Sequence, residues 1–205
     1  MNKLGDLSCN EFLTELASAA PAPGGGGGAA MAGALAAALA SMVANLTIGK
    51  EKFADREPEV KELLKQAEAE RVRLLQLADD DAAVFNSFMS CYKLPKTTDE
   101  EKAARTAAIR AAAKQAATVP LNIARSSFAV LKLADRLVVA GNPGVITDGA
   151  CSGLLARAAL RCAEYNVRIN LGLTKDEVWN AQAAADLKKL LADAEALETR
   201  LLAVT

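Results

Sequence analysis

The sequence predicts an all-α fold, a single-domain helical bundle of about six helices over residues 1–205, with the long helices antiparallel. Three observations predict it. Apolar residues recur at helical spacing through most of the chain, whereas the Val-, Ile- and Thr-rich alternation of strands is nearly absent. Three S/T-x-x-E capping boxes mark helix starts, at Ser8–Glu11, Thr98–Glu101 and Thr174–Glu177. The chain is 52% hydrophobic but only 4% aromatic, so its core is built from Ala, Leu and Val. Such a core excludes voids only when its elements approach closely, as small-faced helices do.

The first helix is expected at about 8–20, from its capping box. A second, at about 28–55, follows five consecutive glycines, Gly24 to Gly28. Its small residues at four-residue steps, Ala29, Gly33, Ala37 and Ser41, allow another helix to come close, within the chain or across a two-fold interface. Pro58 suits the first turn of a third helix at 57–91. Its stripe runs Val60, Leu64, Ala67, Arg71, Leu74, Ala78, Asp81, Phe85, Phe88. A fourth helix, 98–140, is expected to bend near Pro120. The fifth, 148–171, follows the tight turn Asn142-Pro143-Gly144, with Thr147 or Asp148 as N-cap. The sixth, 174–203, carries Trp179, Ala183, Leu187, Leu190, Ala194, Leu197 and Leu201 as a core- or dimer-facing seam.

Composition excludes several functions. There is no histidine, which removes His-ligated metal sites and Ser-His or Cys-His nucleophiles. Acid–base chemistry falls to Asp, Glu, Lys, Tyr or Cys. At a net charge of -1, no basic excess calls for nucleic acid. Cys9, Cys91, Cys151 and Cys162 lack C-x-x-C spacing and read as reduced thiols of a cytosolic protein, with Cys151 and Cys162 as buried filler. The uncharged stretch Leu16–Gly49 raises a membrane span. Its Ala and Gly content, with Ser41, Asn45 and Thr47, favours a helix surrounded by other helices.

Several residues invite chemistry. Asp81 falls on an apolar face, where an unpaired carboxylate costs on the order of 3 kcal/mol or more, so it needs an ion-pair partner or a ligand. Asp148 is either a helix cap or a carboxylate at a pocket rim. Lys96 is either solvated or in reach of an acidic ligand, and Arg105 faces solvent or a bound anion. In "NVRIN", Asn166 and Asn170 stand one turn apart and can line one face. The glycine run is not a Walker A loop, which requires Lys-Ser or Lys-Thr, and no strand precedes it. It offers bare backbone N–H groups at a helix start.

These motifs together resemble the cyclodeaminase/cyclohydrolase family of folate enzymes. The resemblance rests on Phe12–Lys50, on "DAAVFNSFMSCYKLPK" (Asp81–Lys96), on Glu101–Leu121, and on "GNPGVITDG" with "NVRIN", in that order along nearly the whole chain. Where the family usually reads Pro-Gly-Gly-Gly-Ser, this chain carries Gly27 in the Ser place. The resemblance implies an all-helical, cytoplasmic homodimer. It implies a tetrahydrofolate derivative as substrate, no cofactor and no metal, and neither nucleic acid nor membrane as partner. Two reactions fit: hydrolysis of the methenyl bridge to formyl-tetrahydrofolate, and closure of a formimino group to that bridge with loss of ammonia. A stand-alone chain tilts the choice towards the cyclohydrolase. Asp81 is then the acid–base group and Asp148 its electrostatic partner. Lys50, Lys96 and Arg105 would hold glutamate carboxylates, Asn45 and Asn142 would bind the pterin, and Asn170 would be a further substrate-binding residue. Gly24, Gly25 and Gly26 would meet a carboxylate or a pterin oxygen. The rival is a non-catalytic folate-binding or scaffolding protein that keeps the fold.

Overall fold

A computed structural model describes residues 3–203. It contains α1 (Cys9–Leu16), α2 (Gly24–Asn45), α3 (Glu57–Cys91), α4 (Asp99–Ala140), α5 (Ile146–Thr174) and α6 (Glu177–Leu202). Among the described residues there is no strand. The Ser8–Glu11 and Thr98–Glu101 capping boxes both form, with hydroxyl and carboxylate each reaching the other residue's backbone N–H. Pro58 lies in the first turn of α3, and α4 continues without interruption through Pro120.

Four expectations about element boundaries are corrected. The glycine run is not a loop before α2 but its first turns. Gly24, at φ +53°, turns the chain into the helix. The glycines after it are helical despite a cost of about 1 kcal/mol each, because neighbouring groups approach too closely for a side chain at Gly26 and Gly27. α2 also ends at Asn45, not near 55: Gly49 takes φ +75°, and the Thr47 hydroxyl accepts from the Asn142 amide at 2.9 Å. α5 begins at Ile146, so Thr147 and Asp148 lie inside its first turn. Asn142 instead caps the Pro143–Val145 turn, accepting from the Gly144 N–H at 3.0 Å. The Thr174–Glu177 box is absent. Thr174 ends α5 and donates to Asn180 Oδ1, while Asp176 caps α6 by accepting from the Trp179 N–H.

α2 packs against α3, α4 and α5. Its small-residue stripe is buried inside the chain: at Gly33 a Cβ would lie 3.0 Å from both Leu74 Cδ2 and Ser127 Oγ. The close approach read from the sequence is thus spent on intramolecular packing. α2 is long and apolar enough to cross a membrane by length and composition, yet 61% of its most apolar stretch is buried within the fold. α5 runs antiparallel to α2, with Ser152 Oγ donating to the Ala36 carbonyl and Asn166 lying against Gly25.

α6 lays its seam on the core, with Ala183, Leu187, Ala194 and Leu201 buried. Leu201 fills the space over Gly153, and Arg157–Glu198 and Arg200–Asp135 ion pairs tie α6 to α5 and α4. Cys151 and Cys162 are exposed rather than buried. They share the outward face of α5, while Ala156, Ala159, Leu160 and Ala163 face the core.

Candidate active site

The site begins where α2 starts. Gly26 has no side chain, and the Asp81 carboxylate of α3 occupies the space: a Cβ at Gly26 would fall 2.3 Å from Asp81 Oδ2 and 2.4 Å from Oδ1. The neighbouring acids are committed elsewhere, Asp79 to the Leu4 amide and Asp80 to Gln76. No ion pair forms on Asp81 among the described residues, so the structural ion pair weighed for it is not what the fold provides. Burial raises its pKa to about 6, against a smaller opposing effect of the Gly27 amide. The carboxyl is therefore poised to exchange a proton near neutrality.

Asp81 opens into a cavity of about 340 Å³. Phe85 and Phe88 of α3 form one wall, Ile169 and Leu173 of α5 another, with Ala116 of α4 between them. Asn166 and Asn170 supply polar edges next to Asp81. Asn170 donates to the Ala116 carbonyl at 2.7 Å, and Asn166 to the Cys162 carbonyl of its own helix. Behind Phe88 stands Tyr92, which stacks edge-on against it and lies under the Arg105 guanidinium. Arg105 also donates to the Tyr92 carbonyl, and Lys96 is exposed in the turn that follows.

The residues singled out in the sequence fall into two groups. Gly25, Gly26, Asp81 and Asn170 gather at one end of α2, while Arg105 of α4 lies beside Tyr92 at the end of α3 and Lys96 follows in the connecting segment. Gly24, next in sequence, has nothing within 4 Å of its Cβ position. Asn45 and Lys50 are exposed at the other end of α2, about 30 Å of helix away. There Asn142 binds the Leu46 carbonyl and the Thr47 hydroxyl, and Asp148 lies in the first turn of α5. Within one chain the two carboxylates do not meet. Gly27 faces Pro23, 2.9 Å from its Cβ position, so the place of the family Ser points to the Pro23 turn. The sequence reading places Phe85 and Phe88 only on the apolar stripe, and pairs Asn166 with Asn170 on one face without giving it a role in the site. The two rings stood on the same stripe as Asp81, and Asn166 one turn before Asn170, so the signal was present but indistinguishable from core packing. No cluster of three His, Cys, Asp or Glu suited to a metal ion occurs among the described residues.

The family model described as Formiminotransferase-cyclodeaminase matches residues 8–203. The chain is 44% identical over 197 residues to a methenyltetrahydrofolate cyclohydrolase of Methylorubrum extorquens, spanning 96% of this chain and 95% of that one. It is 33% identical over 184 residues to a formimidoyltransferase-cyclodeaminase of Sus scrofa, spanning 90% of this chain but 34% of that longer protein. The crystal structure of a formiminotetrahydrofolate cyclodeaminase from Thermotoga maritima superposes with a TM-score of 0.89 at 30% identity, covering 98% of this chain and 96% of that one.

Proposed function

The chain belongs to the formiminotransferase-cyclodeaminase family of folate one-carbon enzymes, and from that premise we propose that it hydrolyses methenyl-tetrahydrofolate to formyl-tetrahydrofolate in the Asp81 cavity. The observation that carries this reading is a titratable carboxylate at the head of an apolar, aromatic-walled cavity of about 340 Å³. The substrate is a cation with the reacting carbon between two nitrogens. Ionised Asp81 attracts that cation and accepts a proton from the attacking water. The new C–O bond gives a tetrahedral carbon. Protonated Asp81 then donates to one nitrogen as its C–N bond breaks and the hydroxyl proton leaves to solvent. The balance is one water consumed and one proton released.

Phe85 and Phe88 suit the flat aromatic part of a folate, and Arg105 with Lys96 suits its glutamate carboxylates. The folate is the substrate, and the reading includes no further cofactor, metal, nucleic acid or membrane. Near neutrality of charge and four free thiols support a cytoplasmic setting.

The reading includes a homodimer. Leu35 and Met42 of α2, with Leu46 at its C-cap, form an exposed apolar stripe, 56%, 43% and 36% accessible. A second copy packed antiparallel along that stripe sets the Gly26 end of one α2 beside the Leu46 end of its partner. Asn45, Lys50 and Asp148 of one chain would then lie at the Gly26 end of the other.

The test is incubation with each folate. Loss of methenyl absorbance supports the cyclohydrolase. Ammonia release from the formimino compound supports the related cyclodeaminase, the second reading, favoured by the free-standing Thermotoga maritima structure. Folate binding by calorimetry without either turnover would leave the non-catalytic rival.

A further inference from the structure

Pro120 lies near the middle of the 42-residue helix α4 and is fully buried. In an α-helix each N–H donates to the carbonyl four residues earlier. Proline has no N–H, and its ring crowds that same carbonyl. The carbonyl so released is that of Ala116, on the wall of the Asp81 cavity. Its place as acceptor is taken across the helix interface: Asn170 Nδ2 of α5 donates to it at 2.7 Å.

We infer that Pro120 is a positioning residue for the site, because by withholding its N–H it leaves the Ala116 carbonyl to anchor the Asn170 amide beside Asp81. A carbonyl oxygen can only accept, so this bond fixes which end of the amide faces α4. Nδ2 is committed to Ala116, and Oδ1 is left as an acceptor at the cavity edge. Asn166, one turn earlier, has its Nδ2 committed to Cys162 and likewise keeps its Oδ1. The Asp81 end of the cavity thus presents a carboxylate and two amide oxygens. That set suits a ligand edge rich in N–H donors, or a cation, and disfavours an anion. A proline elsewhere in α4 would not serve, since only position 120 releases the carbonyl that faces Asn170.

The inference rests on the Asp81 cavity being the folate site, and the experiment separates the two. Pro120→Ala returns an N–H that competes for Ala116. In nitrogen-15 spectra of the intact chain, the Asn170 side-chain amide should lose its downfield shift and its slow exchange. Turnover should fall about tenfold, as for loss of one aligned hydrogen bond. Asn170→Ala should lose a similar factor, and the double variant should be no worse than Asn170→Ala alone. The melting temperature of Pro120→Ala should stay level or rise, since a helix interior tolerates Ala better than Pro. A purely structural proline would give unchanged turnover and an unmoved amide signal, and either would overturn the inference. Additive losses in the double variant would overturn it too. Should Pro120→Ala fail to fold, Asn170→Ala alone must still lose turnover for the inference to stand. A chain inactive on both folates would refute the proposed function, while the amide spectrum would still decide the anchoring.

Discussion

Asp81 meets the backbone of Gly26 where any other residue would put a side chain, and two predictions follow at this scale. Gly26→Ala drives a methyl group into the carboxylate, at 2.3–2.5 Å from its atoms. Alanine favours the helix by about 1 kcal/mol, so the variant should fold while activity falls by about a hundredfold or more, measured by methenyl turnover beside a thermal melt. Asp81→Asn should abolish turnover and also stabilise the protein. The folded pKa of about 6 lies above the ordinary value of 3.8, so the native state holds the proton more tightly between them. Ionisation of the native carboxyl costs stability, absent below pH 3.8 and complete above about 6, on the order of 2–3 kcal/mol. Denaturation at pH 8 should therefore favour the Asn variant, and at pH 3.5 the two should coincide. The wild-type kcat/KM should lose activity on the acid side near pH 6. A bound cation lowers the carboxyl pKa, so the acid limb of kcat should lie below that of kcat/KM.

Elements were legible where local chemistry decides them. The starts of α3 and α4 follow from Pro58 and the Thr98–Glu101 box. The seam of α6 reads directly as core, and Leu201 at 1% exposure is its last layer. Leu201→Ala should cost about 3 kcal/mol in chemical denaturation, because it empties the space over Gly153 without freeing any polar group. The start of α2 was not legible. Five glycines are poor helix formers, and only the approach of Asp81 and Pro23 shows why small residues must be helical there. The Thr174–Glu177 pattern matched a capping box by spacing, but Asp176 stands closer to the first turn and accepts from Trp179 instead.

For the whole molecule, α2 decides the packing and carries the surface of the proposed dimer. One side carries Ala29, Gly33, Ala37 and Ser41 into the core, and another leaves Leu35, Met42 and Leu46 to solvent. Leu35→Asp should yield a monomer by light scattering at micromolar concentration, with the helical spectrum kept. If Asp81 of one chain works with Asp148 of its partner, Asp81→Asn and Asp148→Asn homodimers are each inactive. Random exchange of their subunits should then restore about a quarter of wild-type activity, since one site in each mixed dimer is intact. No recovery on exchange would place the whole of the chemistry within a single chain.

The sequence by itself determined the helical class, the capped starts of α1 and α4, the core seam of α6 and the family resemblance. Each is carried by residues near one another in the chain, through periodicity, capping and motif spacing. It also marked Asp81 as out of place on an apolar stripe. Only the tertiary structure decided what Asp81 faces. Gly26 stands 55 positions earlier, Asn170 lies on α5, and Ala116 owes its free carbonyl to Pro120. It likewise separated Asp81 from Asp148 by the length of α2. The physical reason is that a buried charge takes its meaning from the groups packed around it. Packing in this fold joins helices far apart in the chain, through contacts that small residues permit but do not announce.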